Sequence, residues 1–120
     1  MTTTLERINT AYIALNRIRN KIRGKDALAL FHLKRQLQEK VDFTAEEEQK
    51  LVEEFDGAIT QTGMVIIADP EKREAFGKAH AELFKMECEI EPDVAVINLE
   101  RNPDITMEDI EQLDGFAAFE

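Results

Sequence analysis

The chain of 120 residues has no serine and no tryptophan, a single cysteine, a single tyrosine, two histidines and only three prolines. Without serine, a nucleophilic triad would have to rest on Cys88 or a threonine, with His32 or His80 as the base. His80 and Cys88 are eight residues apart, at what reads as a junction between a helix and a strand, where a lone thiol and a helix-edge imidazole suit structural roles. One cysteine cannot close an internal disulfide. Two histidines and one cysteine supply neither a zinc quartet nor a His-Glu-x-x-His pair, and the carboxylate runs Glu46-Glu47-Glu48 and Glu108-Asp109-Glu111 lack the Asp-x-Asp-x-Asp-Gly order of a calcium loop. The five glycines are dispersed and build no phosphate-cradling loop. The longest apolar run, Met64 to Ala68, is far below the roughly 20 residues that cross a bilayer, and the first residues lack the basic-then-apolar layout of a signal peptide. These shortages predict a non-enzymatic protein of the cytoplasm, with no metal, cofactor or membrane partner.

What is present is enough to fold. Apolar residues make up 43% of the chain, and a length of 120 residues predicts one domain with one core. The net charge of −10 is unevenly spread: residues 1–40 carry nine Lys/Arg against three Asp/Glu, and residues 41–120 carry six against twenty-two. The chain is two-ended in sequence, and this predicts a partner read through charge.

Thr3 and Glu6 are spaced as a capping box, and Leu5, Ile8, Tyr12, Leu15, Ile18 and Ile22 recur at helical spacing up to Gly24, a candidate left-handed cap. Asp26 is placed to cap a second helix with Leu28, Phe31, Leu33, Leu37 and Val41 inward and Leu30 widening the stripe. A second capping box, Thr44 to Glu47, predicts a break near Asp42 and a separate third helix, the alternative being one long bent helix ending before Gly57. Met64 to Ala68 reads as a strand buried on both sides. Asp69-Pro70 then starts a helix with Ala75, Phe76, Ala79, Leu83 and Phe84 on one face. Alternation from Cys88 to Leu99 around Pro92-Asp93 predicts a β-hairpin, and Thr106 with Asp109 opens a short last helix carrying Ile110, Leu113 and Phe116. The expected class is α+β: N-terminal helices over residues 1–56 packed with a small three-stranded sheet, then strand, helix, hairpin and short helix over residues 63–120.

Two charge clusters are candidate contact sites. Arg17, Arg19, Lys21, Arg23 and Lys25 place five cations within nine residues, enough to bridge several phosphates, yet no aromatic residue interleaves them. Nucleic acid is therefore the less favoured partner, behind the chain's own acidic half or an acidic protein surface. Glu46, Glu47, Glu53, Glu54, Glu71 and Glu74 form a candidate acidic docking surface, whose ordinary reading is a solvated helix face. A basic end and an acidic end can also meet head to tail between copies, which makes a homo-oligomer a candidate state.

The segments GMVIIADPEKREAF, HAELFKMECEIEPDVAVINLE and ITMEDIEQLDGFAAFE, in that order, resemble a family of small tailed-bacteriophage proteins. In that family a short strand leads into a helix ending in an Ala-Glu-Leu-Phe-like segment, followed by two Glu- and Ile-rich strands and a Phe-containing acidic tail. The resemblance covers about half of the chain, from Gly63 to Glu120, and lies in patterning. It implies a phage or prophage origin and carries over no functional residue. The resulting expectation is an accessory protein that docks onto another protein in virion assembly or in modulation of a host system. The alternatives are an acidic nucleic-acid mimic that inhibits a host defence nuclease, and a nucleic-acid binder acting through residues 17–25.

Overall fold

A computed structural model of the protein describes residues 1–91 and 95–120. The turn predicted at Pro92-Asp93 lies outside these residues. The three threonines that open the chain are extended, as β-branched residues favour. They form β1 (Thr2–Thr4), and the first helix, α1 (Leu5–Ile18), is capped by Thr4 rather than Thr3, its hydroxyl accepting from the Arg7 amide at 3.2 Å. Helix α1 stops a turn short of the expected end at Gly24. That glycine, at φ +66°, instead begins the second helix, α2 (Gly24–Glu54).

Helix α2 runs unbroken for 31 residues, so the break expected near Asp42 does not form. Thr44 is buried within it, and its hydroxyl donates to the Lys40 carbonyl at 2.8 Å, four residues back. A hydroxyl satisfied in this way has no need to start a new helix, which is why a capping-box spacing proved misleading here. The buried stripe is Leu30, Leu33, Leu37, Thr44 and Val52, while Leu28 and Phe31, expected to face inward, are 58% and 52% exposed. Asp26 caps nothing; it is buried in the first turn, where Asn102 donates to it at 2.9 Å and Arg101 at 3.2 Å.

The strands β2 (Ala58–Ile59) and β3 (Val65–Ile66) form an antiparallel hairpin closed by Gly63 at φ +83°, a conformation that favours glycine. The strand expected over 64–68 is thus two residues long, and Met64 and Ile66 are 64% and 54% exposed instead of buried on both sides. Helix α3 (Pro70–Lys85) begins as expected: the Asp69 carboxylate accepts from the Glu71 and Lys72 amides, and proline occupies the first turn. Of its expected inward face, Leu83 is buried, Phe76, Ala79 and Phe84 are half-buried, and Ala75 is exposed.

The predicted hairpin after α3 is replaced by two long-range pairings. Strand β4 (Glu87–Glu89) pairs antiparallel with β1, and β5 (Ala95–Ile97) pairs in parallel with β6 (Ala117–Phe119), which follows α4 (Met107–Gln112). Helix α4 carries the expected capping box between Thr106 and Asp109. The class is α+β, as expected, but among the described residues the strands form three separate two-stranded sheets in place of one three-stranded sheet.

One continuous core joins α1, the first half of α2, the end of α3, α4 with its following turn and the strands β4 to β6 through Ile8, Leu15, Ile18, Leu33, Leu37, Leu83, Ile97, Leu113 and Phe116. Beyond it, the second half of α2, the β2–β3 hairpin and the first turns of α3 form an arm. Its interior is thin: Val52 and Ile67 are buried, and Phe55 meets Phe76 edge to face at 6.3 Å. The arm makes the molecule long, 53 × 29 × 21 Å, with a radius of gyration of 16.9 Å. A compact globule of this length would measure about 14 Å. Among the described residues, no helix is long and apolar enough to cross a membrane.

Candidate docking surface

The five cations of the basic segment part company in the fold. Arg17 lies in the last turn of α1, and its guanidinium donates to Asp109 at 2.9 and 2.7 Å and to Gln112 at 2.6 Å. Lys21 reaches the other Asp109 oxygen at 3.3 Å. The Asp109 side chain is fully buried at the N-terminus of α4. Burial opposes its ionisation, but the Thr106 amide, the Arg17 guanidinium, the Thr106 hydroxyl and the Lys21 ammonium together outweigh that and hold its carboxyl down to about 2. Arg17 and Lys21 are therefore an internal clamp between α1 and α4, the pairing with the chain's own acidic half that the sequence suggested.

Arg19, Arg23 and Lys25 are exposed and have no carboxylate partner among the described residues. Two cations of α2, Lys34 and Arg35, stand with them and are likewise unpaired. Of these, Arg19 and Lys34 wall a cleft of about 240 Å³ between α1 and α2, lined otherwise by Leu15, Ile22, Ala27, Leu30 and Phe31. The Lys34 ammonium lies 5.8 Å from the Tyr12 ring centre, and the Arg35 guanidinium lies 5.9 Å from that of Phe31. Both distances fall within cation–π range. Tyr12 is held by Gln38 through its hydroxyl. These rings face Lys34 and Arg35 of α2, and of the basic run Arg19 alone shares the cleft with one of them, Phe31. Sequence reasoning missed Lys34, Arg35 and Tyr12 as members of this face and assigned Phe31 to the core. The signal was present in Leu28 and Phe31, two large apolar residues off the Leu30, Leu33, Leu37 stripe and just ahead of two cations.

The six acidic candidates also divide. Glu47 pairs with Lys50 at 3.0 Å and Glu74 with Lys78 at 3.8 Å, both as exposed intrahelical pairs. Glu46 stands beside Glu47, well back along α2 from its end. Glu53 and Glu54 end α2, and Glu71 lies in the first turn of α3; the contact between Asp56 and Lys72 brings these ends together. Glu54 and Glu71 have no cationic partner among the described residues, and Glu53 only accepts from Gln49 at 3.4 Å. The acidic surface is thus concentrated at the tip of the arm, beside the exposed side chains of Ile59, Met64 and Ile66.

The residues considered for chemistry go separate ways. His80 lies between the Phe76 and Phe84 rings, 5.5 and 4.7 Å centre to centre, and 3.3 Å from Glu48. Cys88 is half-buried in β4 beside Leu5, Lys40, Phe43 and Met86. Burial pushes its thiol up, with Lys40 opposing and Glu89 adding to the rise, so the thiolate is scarce at neutral pH. His32 is exposed, its ring edge-on to Phe31 at 5.8 Å. Among the described residues, no group of three His, Cys, Asp or Glu side chains is placed to hold a metal ion.

In comparisons with protein-family models, with curated proteins and with solved structures, no family, no curated protein and no solved structure matches this chain.

Proposed function

We propose that the chain is a phage or prophage accessory protein that works by docking onto another polypeptide, in virion assembly or in modulation of a host system, and that the cleft between α1 and α2 is the docking surface. The patterning of residues 63–120 motivates the phage assignment. The observation that carries the docking assignment is an apolar cleft walled by two cations without carboxylate partners, Arg19 and Lys34, in a chain of net charge −10. Unpaired cations beside uncovered aliphatic and aromatic surface suit a partner segment that brings an apolar anchor flanked by carboxylates.

The test places a photo-crosslinking side chain at position 31 of the full chain in producing cells. The expected result is a discrete adduct that disappears on combining Arg19→Glu with Lys34→Glu. No adduct, or one indifferent to charge reversal, overturns the reading, as does steady turnover of a small molecule by the purified protein.

The cation–π pairs at Phe31 and Tyr12 favour a second reading, single-stranded nucleic acid stacked on the same face. That reading expects retarded gel mobility of an oligonucleotide, relieved by salt and lost with Arg19→Glu and Arg23→Glu. The nucleic-acid-mimicking alternative draws less support. Glu47 and Glu74 are paired locally, which leaves a short cluster at the tip rather than a track of evenly spaced charges.

A further inference from the structure

The exposed charge at both ends of α2 has the sign that its own dipole disfavours, while the buried Asp26 of the first turn, paired with Arg101, has the favoured sign. Arg23 and Lys25 stand at its positive end, and Glu53 and Glu54 close its negative end with no basic residue in the last turn. The antiparallel neighbours offset part of that cost, α1 through its carboxyl end and α3 through its amino end, but all four side chains remain exposed. The two ends also differ in shape. At one lies the cleft holding Leu30 and Phe31; at the other, the hairpin carries Ile59, Met64 and Ile66 uncovered. Each end has what the other lacks: cations around an apolar hollow, carboxylates beside apolar side chains.

We propose, resting on the docking reading above, that the occupant of the cleft is the acidic hairpin tip of a second copy of this chain. The contact sets Glu53 and Glu54 of one copy against Arg23 and Lys25 of the next, with Ile66 or Met64 entering beside Phe31. The negative end of one α2 then faces the positive end of the next. Such a contact is heterologous, because different patches of the two copies meet, so it propagates into a chain or closes into a ring according to the rotation it imposes.

The experiment uses the full protein and three variants in sedimentation velocity across a concentration series. The wild type is expected to rise above its monomer mass of 13.7 kDa as concentration increases. Arg23→Glu with Lys25→Glu, which reverses the basic end of α2 beside the cleft, and Glu53→Lys with Glu54→Lys, which reverses the tip, are each expected to weaken association at least tenfold. An equimolar mixture of the two restores both complementary contacts, native tip against native basic end and reversed tip against reversed basic end, and should assemble again. The fourfold variant carrying both reversals should assemble again with itself. A wild type that stays monomeric to about 1 mM, or two double variants that assemble as well as the wild type, overturns the proposal. If the wild type stays monomeric while the adduct at position 31 forms with a different polypeptide, the docking reading stands and the assignment of its occupant falls.

Discussion

The body and the arm are built from the same helix and held by different means. In the body, α2 presents Leu30, Leu33 and Leu37 to α1 and the C-terminal segments, and every large side chain of that cluster is nearly or fully buried. In the arm, the same helix offers Val52 and Phe55 to α3 and a four-residue hairpin ladder, and three aliphatic side chains stay in solvent. A region with few buried contacts opens at lower free-energy cost than the core it extends. The arm is thus where the molecule can yield, and it carries the acidic tip; the body is where it is rigid, and it carries the cleft.

The sharpest way to test that division is to remove core volume from the body. Leu37 is fully buried at the centre of the α1–α2 contact. Leu37→Ala should lower global stability by about 3 kcal/mol, since deletion of a buried leucine costs its transfer free energy and leaves a cavity. Urea denaturation followed by circular dichroism measures it. A loss below about 1 kcal/mol would place the centre of stability elsewhere.

Next in size is the buried carboxylate that joins α4 to α1. Asp109→Asn removes the charge that Arg17 and Lys21 share and weakens the capping box, at an expected cost of about 2 kcal/mol at neutral pH. The pH dependence follows from the direction of the shift. A carboxyl held at about 2 in the folded chain, against an ordinary 3.8, contributes stability above pH 4 that drains away as pH falls toward 2. The wild type should therefore lose more stability than Asp109→Asn between those pH values, and thermal melts in that window decide it.

That same carboxylate shows what was legible in the sequence. Its cap was, because Thr106 and Asp109 are three residues apart; its cations were not, because Arg17 lies 92 positions away and nothing local marks the pair. The same holds for the sheets. Asp69-Pro70 announced α3 correctly, whereas the alternation through Cys88 and Ile97 suggested mutual pairing when each strand had a distant partner, in β1 and β6. Local chemistry marked the starts at Asp69 and Thr106, though not at Asp26 or Thr44, and alternation names no partner. The inward face of α2 was drawn too wide for a related reason: Leu30, Leu33 and Leu37 are buried as expected, but with apolar residues at 28, 30, 31, 33 and 37 several stripes are available, and only packing leaves Leu28 and Phe31 out. That choice left Phe31 outside, so the cleft was invisible for as long as Phe31 was counted as core.

A smaller effect separates the arm from the body directly. Asp69→Ala removes the side chain that accepts from two amides at the start of α3, a loss of about 1 kcal/mol. If the arm opens as a unit of its own, amide exchange should quicken across the first turns of α3 and in the β2–β3 hairpin, while protection at Ile8, Leu15, Leu37 and Leu83 stays unchanged. Equal acceleration everywhere would mean that arm and body unfold together.

The smallest effect is expected at the tip. Ile66 is 54% exposed in a two-residue strand, so Ile66→Glu uncovers little that folding had covered and should change stability by less than about 0.5 kcal/mol. Ile97, with no exposure at all, sits opposite Phe119 in the β5–β6 pair, and the same substitution there buries a charge without a partner. Melting the two variants side by side therefore reads burial alone, at equal change of chemistry. A stable Ile66→Glu chain would show that the aliphatic side chains at the tip contribute little to holding the fold, and would leave surface recognition as the property that the substitution changes. A large loss would mean that the hairpin is buttressed by contacts its exposure does not reveal, and the contrast between body and arm would have to be redrawn.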